Sequence, residues 1–398
     1  MIRLNFSICG DSSQDTPILH QLLDTFQKSS SMPAEVEVYP IPWESYRQEL
    51  TSMVIHNRSG DVSQAGAPVA SDMMAMNALR PFKFRDVERM GGKAAFLPVA
   101  WRNNPSDADG QIWAVPWLAD PRVFFYWRDL VEQTQVDEST AFGTPSNLIE
   151  AVKQMQKGGI SKPWGITVGN KHSALHTVAS WVWACGGDFI SEDGSKALIL
   201  EPEAMEGFKA YFSMVRFMAP ETLSSGYAVN NQLFANRQSA IILGNGETAK
   251  YILDKIPAGM QSRLGVALPF GVPLVGGSNL MIWAGTRHEE NAVSLVQFLT
   301  GPEAQAAYPI SIDHLPVRLD VLSQPPFTTD PILKGFAEAL RRGRIFPIAR
   351  LSGLLEERLG YALVNIWTTL FGDPSANLED IITNNLGPVV RHYNNWME

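Results

Sequence analysis

The hydrophobic spacing of the chain switches between two periods from its first residues onward. Apolar residues alternate with polar ones over 2–8, which is typical of a β-strand, and recur at helical spacing over 18–26. Thr16 and Pro17 offer an N-cap and a first-turn proline for that helix. The two periods return over 36–38 and 46–54. This β-α-β-α order predicts an α/β fold in which helices cover a mostly parallel sheet.

Open sheets of this kind bind ligands beyond the carboxyl ends of their strands. The sequence places those ends at 10–12, 40–43 and 64–68. The pattern continues downstream, with predicted strands at 165–168 and 240–243. Because a chain of 398 residues is longer than one hydrophobic core usually serves, we expect two lobes.

The predicted lobes are not separated by a low-complexity linker, so they must be joined by segments that belong to the sheets themselves. Proline marks three candidate crossings, at 115–122, 268–270 and 314–316.

The charge balance excludes one class of partner. A formal net charge of −9 with 18% charged residues leaves no large basic surface, so we expect no nucleic-acid partner. No apolar run approaches the roughly 20 residues that span a bilayer, and the first residues lack the apolar core of a secretion signal. We therefore expect a soluble chain, and expect that any export signal or lipid-attachment segment has been removed.

Two cysteines, Cys9 and Cys185, are too few for a disulfide scaffold or a zinc site built mainly of thiolates. Aromatic residues are more informative. The 11 Trp and 19 Phe include several Trp beside Pro or Gly, where loops place side chains at surfaces. Such rings indicate a ligand with flat apolar faces.

A glycine pattern raises the alternative of a nucleotide-dependent enzyme. Residues 244–249 read G-x-G-x-x-A between an apolar strand and a predicted helix, as a dinucleotide site requires. The acidic residue that would hold the ribose is missing from 266–269. We therefore predict no nucleotide cofactor.

A metal centre and a glycosidase are two further alternatives. His172 and His176 stand four residues apart and could share a helix face, yet no third metal ligand of suitable type is near and Ser173 replaces the general-base Glu of zinc proteases. We predict no metal site. The carboxylate pair of a glycosidase comes together only in the fold, so a glycosidase-like hydrolase stays open beside a nicotinamide oxidoreductase as the enzyme alternative.

The most informative segment runs from Gln111 to Leu130, with Trp113-Ala114-Val115-Pro116-Trp117 followed by Asp120-Pro121-Arg122. It resembles the G-x-I-Y-A-L-P-W…D-x-R…Y-N-x-D-L segment of extracellular solute-binding proteins of the carbohydrate class, the relatives of maltose-binding protein. Other segments resemble motifs of that family in the same order: 38–46, 60–62, 183–188, 240–246, 269–278, 303–305 and 315–318. Two departures are Glu247, where many relatives carry a stacking Trp, and Pro145-Ser146-Asn147 in place of Pro-x-Thr-Trp.

The resemblance implies a two-lobed periplasmic-binding-protein fold of the class II type. Each lobe would be a mostly parallel sheet flanked by helices, and a hinge of three crossings would close the lobes on a sugar. The N-terminal lobe would comprise 1–118 and 270–317, and the C-terminal lobe 119–269 and 318–398. Cys9 and Cys185 would then fall in different lobes as free buried thiols.

The candidate ligand-binding residues follow from the resemblance together with sugar chemistry. A pyranose has an apolar face that stacks on an aromatic ring and hydroxyl groups that need paired donors and acceptors when buried. The predicted stacking faces are Trp43, Trp117 and Trp183. The predicted polar contacts are Asp11, Ser12, Gln64, Asp120, Arg122, Glu247 and Arg318. A further candidate is the glycine-rich turn Gly276, Gly277 and Ser278. With so few side chains it either lets backbone amides approach the ligand or is simply a flexible turn.

The resulting expectation is a substrate-binding protein of an ATP-driven sugar importer. It would be a monomer at the periplasmic or extracellular face of the membrane, capture a mono- or oligosaccharide, and deliver it to transmembrane permease subunits. We expect no catalysis, no cofactor and no metal.

Overall fold

The computed structural model describes residues 2–10, 14–102, 104, 110–223, 226–349 and 351–397. The strands are β1 (Arg3–Cys9), β2 (Glu35–Ile41), β3 (Val62–Ala65), β4 (Leu79–Arg80), β5 (Ala114–Pro121), β6 (Val123–Trp127), β7 (Trp164–Gly165), β8 (Ile241–Gly244), β9 (Leu264–Ala267), β10 (Val275–Trp283) and β11 (Leu315–Pro316).

The α-helices are α1 (Pro17–Ser29), α2 (Tyr46–Ile55), α3 (Ala67–Ala75), α4 (Phe84–Arg89), α5 (Pro98–Arg102), α6 (Arg128–Gln133), α7 (Glu138–Ala141), α8 (Pro145–Lys157), α9 (Lys171–Ala184), α10 (Pro202–Ser213), α11 (Tyr227–Ala235), α12 (Gly246–Lys255), α13 (Glu289–Leu299), α14 (Pro302–Ser311), α15 (Leu319–Leu322), α16 (Pro331–Arg342), α17 (Ser352–Gly372) and α18 (Leu378–Met397). Short 3-10 helices lie at Lys93–Ala95, Met214–Phe217, Pro220–Leu223, Ala258–Arg263 and Pro269–Gly271. Within the described ranges, none of the helices combines the length and apolar character needed to cross a membrane.

The chain divides into two compact units. Unit 1 comprises Met1–Asp120, Gly276–Thr328 and Ile348–Gly353, and unit 2 comprises Pro121–Val275, Thr329–Pro347 and Leu354–Glu398. The chain therefore passes between the units at five positions rather than at the three predicted ones. The predicted crossing at 314–316 lies inside unit 1, because Leu315 and Pro316 form β11 and pair with β5.

Unit 1 is built on a seven-stranded sheet with the order β11-β5-β10-β3-β1-β2, to which β4 is added through β10. The predicted start of the chain is confirmed: β1 is followed by α1, whose N-cap Thr16 accepts a hydrogen bond from the Leu19 amide at 3.2 Å. Leu19, Leu22, Leu23 and Phe26 line the buried face of α1. This apolar stripe explains why the segment packs as a helix on the sheet.

Unit 2 is built on a four-stranded sheet with the order β7-β8-β6-β9. Its core is rich in aromatic rings: Trp181 packs edge-on against Tyr211, and Tyr211 packs against Trp367, at centroid distances of 5.9 and 5.0 Å. The Tyr211 hydroxyl also bonds to Thr177 and accepts from the Trp367 indole. These contacts join α9, α10 and α17.

The α/β class is confirmed, but the sheets are not mostly parallel. In unit 1, β1 pairs in parallel with β2 and β3, whereas β10 pairs antiparallel with β3 and β4, and β11 antiparallel with β5. In unit 2, β7 and β8 are parallel, but β6 is antiparallel to β8 and β9. The prediction was wrong on this point because hydrophobic alternation marks a strand without setting its direction.

Candidate functional site

The parallel strands of unit 1 end together at one edge of the sheet. In the register of β1 and β2, Cys9 lies opposite Ile41, and Ser7 of β1 lies opposite Ser63 of β3. Ligands of α/β sheets gather at such carboxyl ends. The residues that follow these strands are therefore the first place to look for a binding site.

Trp43 lies in the turn that follows β2 and is half-buried. Its ring meets the ring of Tyr46 edge-on, at a centroid distance of 5.2 Å and an interplanar angle of 75°. A Cβ placed on Gly66, just after β3, would lie 3.1 Å from the Tyr46 hydroxyl. The aromatic pair Trp43–Tyr46 thus lies at the sheet edge where β2 and β3 end. The sequence predicted only Trp43 as a site residue.

Gln64 and Ser278 form a buried hydrogen-bonded link at the same edge. The Gln64 amide oxygen accepts from the Cys9 backbone N–H at 2.8 Å, and its Nε2 donates to the Ser278 hydroxyl at 2.8 Å. The Cys9 thiol donates to the backbone carbonyl of Gln64, and burial raises the pKa of that thiol. The oxygen and the nitrogen of the Gln64 side-chain amide are thus both bonded to residues of neighbouring strands. The Cys9 thiol keeps its proton.

Gly277 has a packing role that the sequence did not reveal. Its φ is +139°, and a Cβ there would lie 2.1 Å from the Leu118 carbonyl oxygen. The close approach of β10 to β5 therefore requires glycine. Gly276 precedes it and is half-buried.

Trp117 is placed in the core of unit 1. The side chain is fully buried. Its ring stacks on Tyr308 at 5.0 Å and meets Phe6 edge-on at 5.7 Å. The predicted stacking face at Trp117 is corrected accordingly, because protein rings already cover it.

Arg318 is likewise occupied by its own unit. Its guanidinium donates twice to the Asp320 carboxylate, at 2.9 and 2.7 Å, and to the Met90 carbonyl at 2.9 Å. The hydrogen bonds from Arg318 lower the pKa of Asp320 below its usual value. The guanidinium carbon also lies 5.5 Å from the centroid of the Phe96 ring. These contacts use Arg318 to stabilise the turn before α15, so it does not offer free donors to a ligand.

Asp120 and Arg122 stand where β5 gives way to β6. Asp120 is half-buried and Arg122 is buried. Arg122 Nη2 lies 3.0 Å from His176 Nδ1. A guanidinium can only donate, so this His176 nitrogen accepts, which leaves the imidazole neutral with its proton on Nε2.

The pair His172 and His176 does not form part of a metal centre in the described part of the chain. Within those residues, no three His, Cys, Asp or Glu side chains gather closely enough to hold an ion. The Arg122 contact gives His176 a different role, which is to orient a buried cation.

Trp183 belongs to a closed group with Asp188 and Arg344. The indole N–H donates to Asp188 Oδ1 at 3.1 Å, and Arg344 donates to Asp188 Oδ2. The guanidinium carbon of Arg344 stands 4.9 Å from the centroid of the Trp183 ring, which is 5% exposed. The predicted stacking face at Trp183 is therefore corrected: the ring is covered by Arg344.

Glu247 lies in the first turn of α12 and is exposed. The helix is N-capped by Asn245, whose Oδ1 accepts from the Thr248 amide at 3.3 Å. A Cβ on Gly244 would lie 2.4 Å from the buried Thr248 side chain. The first glycine of the G-x-G pattern is thus required by packing against the helix.

Two predicted residues, Asp11 and Ser12, lie outside the described residues. Sequence reasoning did not name Tyr46, Asp188 or Arg344 as candidate residues, and it considered His176 only as a metal ligand. The spacing Trp-x-x-Tyr pointed to the first, and Asp188 closes a recognised motif. Arg344 carried no local signal, because it reaches Trp183 from a distant segment of the chain.

Comparisons with known proteins agree with this architecture. The model of the bacterial extracellular solute-binding protein family matches residues 21–335. A binding protein of Brucella abortus (strain 2308) is 22% identical over 360 residues, covering 85% of this chain and 82% of its own.

Two solved structures are similar over nearly the whole chain. The sugar-binding protein MalE of Xanthomonas citri superposes with a TM-score of 0.82 at 18% identity, covering 99% of this chain and 98% of its own. An ABC transporter solute-binding protein of Thermotoga lettingae, bound with α-D-tagatose, gives a TM-score of 0.80 at 17% identity, with 100% of both chains covered. They share the two-lobed α/β fold with this chain. The chain belongs to the bacterial extracellular solute-binding proteins.

Proposed function

We propose that this protein binds a carbohydrate reversibly, without changing it, and delivers it to the permease subunits of an ABC-type importer. The observation that carries the proposal is the half-buried aromatic pair Trp43–Tyr46 at the carboxyl edge of the parallel strands. Family membership supports solute capture, and the sugar and importer named for the similar structures support the ligand class and the partner.

The chemistry of the pair suits a sugar. The C–H face of a pyranose packs well on an aromatic ring, while its hydroxyl groups need donors and acceptors once they leave water. A half-buried ring such as Trp43 contacts protein and keeps exposed surface that a sugar can cover. We retain Asp120, Arg122, Glu247 and the Gly276 backbone as proposed polar contacts, with Asp11 and Ser12 as sequence predictions.

Six of the predicted contacts are assigned to the scaffold in this proposal. Trp117, Trp183, Arg318, Gln64, Gly277 and Ser278 are engaged by neighbouring protein groups, as described above. We propose that these residues support the fold of this chain rather than contact the ligand.

Several observations favour binding over catalysis. The thiol of Cys9 is buried and its pKa is raised, which makes it a poor nucleophile. The first glycine of the 244–249 pattern is accounted for by packing against Thr248, and the acidic ribose partner is missing.

The family description supports the proposed location. Extracellular solute-binding proteins work outside the cytoplasmic membrane. For this chain we propose the periplasm or the outer face of the membrane, action as a monomer, and enclosure of the sugar by hinge closure.

A thermal-shift screen tests the proposed ligand class. Purified protein is heated with separate mono- and oligosaccharides, and with amino acids and short peptides as the contrasting solutes. Because ligands that bind only the folded state raise its stability by mass action, at least one carbohydrate should raise the melting temperature in a saturable way. A saturable shift by an amino acid or peptide, with none by any sugar, would overturn the proposal.

A further inference from the structure

A group of buried oxygen atoms surrounds Gly165 in unit 2. Gly165 is the second residue of β7, which pairs in parallel with β8. A Cβ placed on this glycine would lie 3.4 Å from Ser239 Oγ, 3.5 Å from Asn230 Oδ1 and 3.6 Å from the Ile241 carbonyl oxygen. These are ordinary contact distances, so the space beside Gly165 is large enough for a group of methyl size.

Two of the three oxygen atoms need a hydrogen-bond partner. Ser239 and Asn230 are 3% and 1% exposed, and neither Ser239 Oγ nor Asn230 Oδ1 meets a donor or acceptor in the described parts of the chain. Leaving a buried polar atom unsatisfied costs the folded state its full desolvation penalty. Two such atoms facing one point are therefore a strong indication of a third, polar group.

The Asn230 amide has a hydrogen-bond partner on its other side. Its Nδ2 donates to the hydroxyl of Thr167 at 3.2 Å, and Thr167 is itself buried. In this orientation the amide presents its oxygen, an acceptor, toward Gly165. The Ser239 hydroxyl can donate or accept, because its hydrogen rotates.

We propose that Gly165, Ser239 and Asn230 form a binding site for one buried water molecule. The water accepts a hydrogen bond from the Ser239 hydroxyl and donates to Asn230 Oδ1 and to the Ile241 carbonyl. Three partners match what buried waters make in folded proteins, and an apolar occupant would leave both side-chain oxygens unsatisfied. Glycine at 165 is what leaves room for it.

The water joins three pieces of unit 2. Asn230 belongs to α11, Gly165 to β7, and Ser239 immediately precedes the segment that forms β8. The bridge therefore fixes α11 against the sheet strand that leads into Asn245, the N-cap of α12. Its loss should weaken the packing of α11 without removing any direct hydrogen bond between protein groups.

The test is a methyl group placed between Gly165 and the proposed water. Gly165→Ala should displace the water and strand two buried oxygens, raising the unfolded-to-folded ratio in urea about 5- to 100-fold. The control is Gly285→Ala, because a Cβ there lies 3.5 Å from the Ser59 hydroxyl but at an exposed position. Neither glycine has a left-handed φ, so backbone strain does not enter. Gly285→Ala should change the ratio little.

A second background separates water loss from simple crowding. In Ser239→Ala protein one of the stranded oxygens is already gone, so Gly165→Ala should destabilise it clearly less than it destabilises the wild type. An equal loss in both backgrounds, or no loss in either, would overturn the proposal. If Gly165→Ala does not fold, a high-resolution crystal structure of the wild type decides. Density bridging Ser239 Oγ and Asn230 Oδ1 is expected, and a dry gap there would contradict the site.

Discussion

Trp43 and Trp117 belong to the same unit and should respond differently to truncation. Trp117 is fully buried between Tyr308 and Phe6, so Trp117→Ala should lower the free energy of unfolding by about 3–5 kcal/mol, as large-to-small core changes do. Trp43 is half-buried and has one edge-on partner, Tyr46. Trp43→Ala should therefore lower the free energy of unfolding by only about 1–2 kcal/mol. It removes part of a buried surface and one aromatic contact worth about 0.5–1.5 kcal/mol.

The two variants should differ in sugar binding as well. Removing a stacking face at Trp43 should weaken the affinity for the sugar found by thermal shift about tenfold or more, and Trp43→Phe should restore most of it because a ring face returns. Urea unfolding measures the stability, and isothermal titration measures the affinity. The placement of the site would be refuted if Trp43→Ala were as destabilising as Trp117→Ala, or if it left the sugar affinity unchanged.

Three further outcomes are expected. Asp120→Ala should weaken sugar binding roughly ten- to a hundredfold in calorimetry, because a hydrogen bond to a charged group is typically worth about 1.5–3 kcal/mol; unchanged affinity would remove Asp120 from the site. Asp188→Ala should lower the free energy of unfolding in urea by about 1–3 kcal/mol, because the buried Trp183 indole loses the half-buried carboxylate that accepts its N–H, whereas replacement of the neighbouring exposed Glu192 should have little effect. An equal effect of both changes would contradict the role given to Asp188. Titration with NAD or NADP should produce no heat, and a micromolar dissociation constant for either would argue against a binding protein.

The local elements were predictable because their signals are local. Alternation marked β1, and Thr16 with Pro17 marked the start of α1, where the cap is observed. Strand direction was not predictable: β10 is antiparallel to β3, and β6 is antiparallel to both β8 and β9. No residue type records that direction.

The candidate site was predictable by position and much less by role. Strand ends drew attention to Trp43, which lies just after β2, while its contact with the ligand stays a prediction. Trp117 was misjudged because nearly every residue of β5 is buried, so alternation could not tell a core ring from an exposed one. Arg318 and Arg344 find their partners through the fold: the first reaches Met90 and the second reaches Trp183, and both contacts join segments far apart in sequence.

The most direct test of the proposed function is a calorimetric titration of the wild-type protein with the carbohydrate that gives the largest thermal shift. The sugar is then recovered from the calorimeter cell and analysed by chromatography. We predict saturable binding and a sugar that is recovered unchanged after prolonged incubation, with NAD or NADP making no difference. Absence of binding by every carbohydrate tested, or recovery of a cleaved or oxidised sugar, would contradict the conclusion that this protein captures a sugar and passes it on intact.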